Sequence, residues 1–303
     1  MESILLYHCR ALLMDEENTL LDPAYVVVEG ERIAAVSSTR PQGPFAQEID
    51  CGGNVLMPGL VNAHTHIPMT LMRGYAGGCD LHTWLNDWIF PAEAKLDDRA
   101  VRAGADLALA ELIAGGVTTI ADMYMHTPAI AQAVLAAGIS ANLSCGGVYF
   151  GAPGDFSPAA CPDCDHQRQL TEEFHEAGNG QILVDASIHG EYTSNVPLWQ
   201  WMADYAQRKG LGMHVHVSET QSEHEGSLTR WGLTPFRILD RYGVWDTRAI
   251  AAHCVWTTED DWAGMAEKGV ACVHNPVSNL KLGSGVAWIP AMKAAGVPIA
   301  LGT

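Results

Sequence analysis

The side chains with the most chemical reach are histidines that close short apolar runs. His64-Thr65-His66 ends a run that begins at residue 60. Later runs end in or contain His189, His214 and His216, His253, and His274. Residues i and i+2 of a strand point to the same face. His64 and His66 can therefore offer two imidazoles to one metal ion. A single strand-end histidine is ordinarily a hydrogen-bonded structural residue. The His-x-His pair, joined by histidines from three later runs, favours a metal site. Glu219 follows His216 by three residues, just beyond its run. A carboxyl group there can carry protons for a metal-activated water.

These residues need a scaffold that gathers strand ends. From residue 55 onward, short apolar runs alternate with helical segments, which is the pattern of repeated βα units. Eight runs read as strands: 60–65, 118–123, 141–148, 182–188, 212–217, 249–252, 270–273 and 299–302. Helix signals lie between them. Asp97-Asp98 opens one helix that ends at Gly115-Gly116, and Thr127-Pro128 opens another that closes at Gly138. Thr234-Pro235 and Thr258 open two more. The expected fold class is α/β, a (β/α)8 TIM-type barrel whose active site lies at the C-terminal ends of the strands. Residues 5–13, 24–29 and 33–36 read as strands of a small N-terminal β domain, with 41–54 as a connection. The expected domains are 1–56, a small β-sandwich part, and 57–303, the barrel.

Composition narrows the partners. A formal net charge of −18 disfavours nucleic acid and anionic membranes. Neither a targeting segment nor a membrane-length apolar run is visible, which points to a cytoplasmic protein acting on a small molecule. The eight cysteines read as reduced thiols in such a setting. The Cys161-Pro-Asp-Cys164 pair reads as an incidental loop feature.

The run Met57-Pro58-Gly59-Leu60-Val61-Asn62-Ala63-His64-Thr65-His66 resembles the first-strand signature of the amidohydrolase superfamily. The runs His216-Val217-Ser218-Glu219-Thr220, Ala251-Ala252-His253-Cys254 and residues 274–282 look like the branch of 5-methylthioadenosine/S-adenosylhomocysteine deaminases and triazine chlorohydrolases. The resemblance implies one divalent metal ion per chain on His64, His66 and His216. Zinc is favoured, with iron and manganese as alternatives. It makes Glu219 the proton shuttle and His253 the group that orients the attacking oxygen. It places Trp84 against a nucleoside, Glu93 on the ribose hydroxyls, and His189 on the sugar or base. His214 then packs beside the metal ligands. The implied reaction is hydrolytic deamination of an adenine-type nucleoside. Guanine or cytosine deamination, triazine dechlorination and a catalytically incomplete fragment are the alternatives, and a homo-oligomer is compatible with the family.

Two departures qualify the resemblance. Where some members carry an arginine for the amino-acid carboxylate of S-adenosylhomocysteine, this chain has Cys145, and neither Arg73 nor Arg168 matches cleanly. The family's eighth strand is followed at once by a catalytic aspartate, whereas this sequence stops at Thr303. A longer parent chain carrying the end of the barrel and the rest of the sandwich is the expectation.

Overall fold

The computed structural model describes residues 3–303. The chain divides into two compact units, Met1–Leu60 and Val61–Thr303.

The first unit is a five-stranded sheet built from β1 (Ser3–Leu12), β2 (Leu20–Glu29), β3 (Arg32–Ser37), β4 (Gln47–Asp50) and β5 (Val55–Leu56). β2 pairs antiparallel with β1 and β3, while β4 and β5 run parallel to β1. Leu5, Cys9 and Ala11 are buried along β1, the odd-numbered spacing expected of one covered face. The segment 41–54 is more than a connection, because β4 lies within it. Its four residues are all exposed. No apolar alternation marks such a strand, and pairing with the edge of β1 creates it.

The second unit holds eight parallel strand positions in sequence order. β6 (Leu60–Thr65), β7 (Val117–Met123), β8 (Ser140–Ser144) and β9 (Ile182–Val184) form one sheet. β10 (Ala186–Gly190), β11 (Met213–Val217), β12 (Ala249–His253), β13 (Ala271–His274) and β14 (Ile299–Leu301) form the other. β9 and β10 are two pieces of one strand, broken at Asp185. At the far edges, the Thr303 N–H donates to the His64 carbonyl at 2.7 Å. The strands thus close into a ring with helices between them, the (β/α)8 arrangement.

Local chemistry sets the helix ends. The Asp97 carboxylate accepts the Ala100 N–H at 2.8 Å and starts the helix Asp98–Ala114. Thr258 and Asp261 form a reciprocal capping box at the helix Glu259–Lys268. The third strand is shorter than the 141–148 run, because Gly146 adopts a φ of 62° and takes the chain out of the ladder. The Cys161/Cys164 pair is also not a loop feature. Cys161 caps the helix Pro162–Phe174, Cys164 lies in its first turn, and both are buried free thiols. Among the described residues, no helix is long and apolar enough to cross a membrane.

One close packing contact ties a helix to the strand that carries His64. The turn Ile67–Met72 follows His66 and lies against Gly104 of the helix Asp98–Ala114. The Thr70 hydroxyl donates to the Gly104 carbonyl at 2.7 Å. A β-carbon at Gly104 would sit 2.4 Å from the Pro68 carbonyl oxygen. Gly104→Ala is expected to cost about 1–3 kcal/mol, read as a lower urea midpoint. A variant as stable as the parent would reject this packing account.

Candidate metal centre

Alternation along β6 puts Asn62 and His64 on one face, with His66 just past its end, and alternation along β11 does the same for His214 and His216. His253 ends β12, and His189 lies in β10. The parallel strands bring these ends together at one mouth of the ring.

Hydrogen bonds fix which nitrogen of each ring is protonated. His66 Nδ1 faces the Met123 carbonyl, and His216 Nδ1 faces the His189 carbonyl at 2.7 Å. A carbonyl oxygen only accepts, so both rings carry their proton on Nδ1. The Ser144 hydroxyl donates to the Asp122 carbonyl at 3.2 Å, so Ser144 Oγ accepts from His214 Nδ1 at 3.3 Å. His214 Nε2 is then an acceptor, and it takes the proton of His64 Nδ1 at 2.8 Å. Three Nε2 lone pairs remain, on His64, His66 and His216.

Those lone pairs face one another. His216 Nε2 lies 3.2 Å from His64 Nε2 and 3.3 Å from His66 Nε2. Such an approach is repulsive unless a cation lies between them. Zinc–nitrogen bonds of about 2.0–2.1 Å at tetrahedral angles place ligand nitrogens roughly 3.3–3.4 Å apart. The residues therefore fit a divalent ion. His253 joins the cluster: one nitrogen each from His64, His216 and His253 lie within 4.8 Å of one another. Its Nδ1 donates to Asn279 Oδ1 at 2.7 Å, which turns its other nitrogen toward the group.

Burial and the neighbouring rings lower every one of these imidazoles. Burial brings His66, His189 and His253 to about 4 and His214 to about 3. Burial, with the other histidines, holds His64 and His216 well below the usual value. Neutral rings are the ligand-competent form. Glu219 moves the opposite way. Burial raises it to about 8, and its Oε1 lies 3.6 Å from His253 Nδ1. A carboxyl that is protonated near neutrality can donate as well as accept.

All eight residues singled out in the sequence line one cavity of about 460 Å³. Trp84 lies in the one-turn π-helix Trp84–Ile89, and its buried Nε1 has no partner. Glu93 is buried and accepts the Tyr124 hydroxyl at 2.7 Å. His189 Nδ1 lies 3.1 Å from the Thr193 hydroxyl. Leu81, Leu85 and Ile89 pack on Leu282 in a small apolar cluster beside the cavity. Sequence reasoning missed Tyr124, Asn279 as the partner of His253, and Asp163 in the cavity wall. Asn279 stood inside the motif at 274–282, but its partner is 26 residues away. His214 was seen, but not its task of holding His64.

Residues 55–303 match the amidohydrolase family, and the chain belongs to it. It is 39% identical over 278 residues to the 5′-deoxyadenosine deaminase of Methanothermobacter thermautotrophicus, spanning 92% of this chain and 64% of that protein. It is 40% identical over 260 residues to the 5-methylthioadenosine/S-adenosylhomocysteine deaminase of Moorella thermoacetica, spanning 84% of this chain and 58% of that protein. The chain thus spans about three-fifths of the length of these relatives. Its fold is similar to that of a zinc-bound adenosine deaminase from Xanthomonas campestris, with 32% identity and a TM-score of 0.88, over 99% of this chain and 68% of that one.

His214→Phe is expected to weaken zinc binding about 10–100-fold, read by competition with a chromogenic chelator. Unchanged affinity would show that His64 needs no help from His214. The metal-free protein should also show a distinctive pH profile. The depressed imidazoles favour folding above their ordinary 6.5, and that contribution is lost as pH falls through about 4. The raised carboxyl of Glu219 favours folding below its ordinary 4.5, and that contribution is lost as pH rises through about 8. The two trends oppose each other between pH 4.5 and 6.5. Because six depressed imidazoles outnumber the raised carboxyl, the urea midpoint should rise from pH 4.5 to 6.5 and fall above it as pH climbs toward 8. A midpoint that climbs steadily through neutrality would contradict this burial pattern.

Proposed function

We propose that this chain carries out metal-dependent hydrolytic deamination of an adenine-type nucleoside. The observation that carries the reading is a set of three converging imidazole lone pairs beside a buried, protonatable Glu219 in one cavity. One divalent ion per chain is held by His64, His66 and His216, and zinc suits three nitrogen donors at this spacing best. The bound ion supplies a water acidic enough to ionise near neutral pH.

The chain's own residues do the rest. Glu219 accepts the proton of the attacking water and delivers it to the ring nitrogen beside the amidine carbon. His253, fixed by Asn279, holds the attacking oxygen in line. The second proton, from the hydroxyl now on the carbon, reaches the amino group, the carbon–nitrogen bond breaks to release ammonia, and the carbon is left as a carbonyl. Trp84 offers its unpartnered N–H to an acceptor on the base. Glu93 has one oxygen held by Tyr124 and accepts ribose hydroxyls with the other. His189 flanks the same wall.

Charge favours a substrate without an anionic tail. Glu93, Asp163 and Glu219 line the cavity, with no lysine or arginine among the described lining residues. Arg73 is held by Glu111, and Arg168 is held by Asp165 and lies over Trp201. Cys145, also in the wall, offers no cation. Nucleosides with an uncharged 5′ end are the substrate class we assign. We also read the N-terminal sheet as part of a small β-sandwich.

Glu219→Gln is expected to keep its metal and lose turnover about 10²–10⁴-fold, read as ammonia release beside metal analysis. Metal loss in that variant would mean that Glu219 is a ligand and not the proton carrier. The parent should act on adenosine and 5′-methylthioadenosine in preference to S-adenosylhomocysteine. Ammonia release from free bases but from no nucleoside would reject the substrate class.

A further inference from the structure

Glu219 has to be aimed, and little holds its own side chain. Its carboxyl reaches no closer to His253 than 3.6 Å. Its position is therefore set by the backbone between β11 and the helix Gln221–Trp231. That connection is tight. Ser218 has a φ of 47°, a left-handed conformation that a non-glycine residue adopts only at a cost. Something must hold it there.

Glu223 sits one turn into the helix and is buried. Its Oε1 accepts the Ser218 N–H at 2.8 Å, and its Oε2 accepts the Glu219 N–H at 2.7 Å. In an ordinary capping box, the residue at this position reaches back to the N-cap N–H. Here it passes over Thr220 and takes the two amides before it, while the Thr220 hydroxyl accepts the Glu223 N–H at 3.2 Å. The Ser218 carbonyl accepts from Trp256 and the Val217 carbonyl from Cys254, at 2.9 and 3.0 Å. The turn is thus gripped on its amide side by Glu223 and on its carbonyl side by the loop after β12.

We propose that Glu223 is the positioning residue for Glu219: its carboxylate clamps the amides of Ser218 and Glu219, holds the left-handed turn, and so points the Glu219 side chain into the cavity. Both oxygens are needed, because each serves a different N–H. The inference rests on the reading of Glu219 as proton carrier, but the clamp itself is open to a separate test.

In Glu223→Gln the side chain keeps its size, but an NH₂ group replaces one acceptor and faces an amide N–H. We expect kcat to fall about 10²-fold, the cost of a misplaced reacting group. KM for 5′-methylthioadenosine should stay within about 3-fold, and metal content should stay at the parent level. Amide hydrogen exchange at Ser218 and Glu219 should quicken selectively. Adding Ser218→Gly, which adopts the turn freely, should restore part of kcat. Parent-like kcat and exchange in folded Glu223→Gln would overturn the proposal, as would a loss of kcat that tracks metal loss. No restoration by Ser218→Gly in a folded double variant would also overturn it. If Glu223→Gln does not fold, Glu223→Asp reaches only one amide and should show the same split at a smaller size; parent-like kinetics there would overturn it. A parent that deaminates no nucleoside would defeat the functional reading alone, and exchange at the two amides would still decide the clamp.

Discussion

Two imidazole lone pairs cannot rest 3.3 Å apart without a cation between them, and the rest of the barrel is arranged around that demand. The His66 and His216 protons are committed to backbone carbonyls, so neither ring can turn to relieve the contact. The His64 proton is committed through His214 and Ser144 to the backbone of β7. The ligand set is therefore preorganised by the same strands that form the ring. Parallel strands suit this purpose, because all their C-terminal ends open on one side and each can bring one polar residue to a common point.

That arrangement is costly to bury. Six imidazoles and the Glu219 carboxyl crowd the same end of the barrel, all pushed by burial toward their neutral forms, while Glu223 beside them gives both carboxylate oxygens to backbone amides. Neutral forms lower the desolvation cost and are also the useful ones. A neutral ring is the ligand-competent form, and a carboxyl that titrates at about 8 has both its forms accessible, one to take a proton and one to give it. The apolar core beneath, with Ile120, Leu143, Val184, Ile188, Val215 and Ala251 fully or almost fully buried, offsets what the polar end costs.

Around the centre, the cavity combines apolar walls with a few fixed acceptors and donors. Met69, Leu85 and Phe90 line it beside Trp84 and Glu93. Tyr124 ties the Glu93 side of the cavity to the end of β7, the strand whose Met123 carbonyl also orients His66. The histidine cluster and the Glu93 wall of the cavity therefore share a support, and a shift in one strand would be felt in both.

Much of this was legible along the chain. The His-x-His at 64–66, Glu219 three residues beyond His216, and eight apolar runs separated by capped helices depend on periodicity and local chemistry, which a sequence displays directly. β4 did not show, because its four exposed residues carry no pattern and its partner edge defines it. The early end of β8 was hidden because a single left-handed glycine decides it. The tasks of His214, Asn279, Tyr124 and Glu223 were not legible, although each residue was in plain view. His214 acts on a ring 150 positions away and Tyr124 on a carboxylate 31 positions away, pairings that exist only once the strands are side by side. The sequence by itself determined which residue types stand at the strand ends. Only the tertiary structure decided which nitrogen of each ring faces the centre of the cluster, because the hydrogen-bond partner that fixes it comes from another strand or helix.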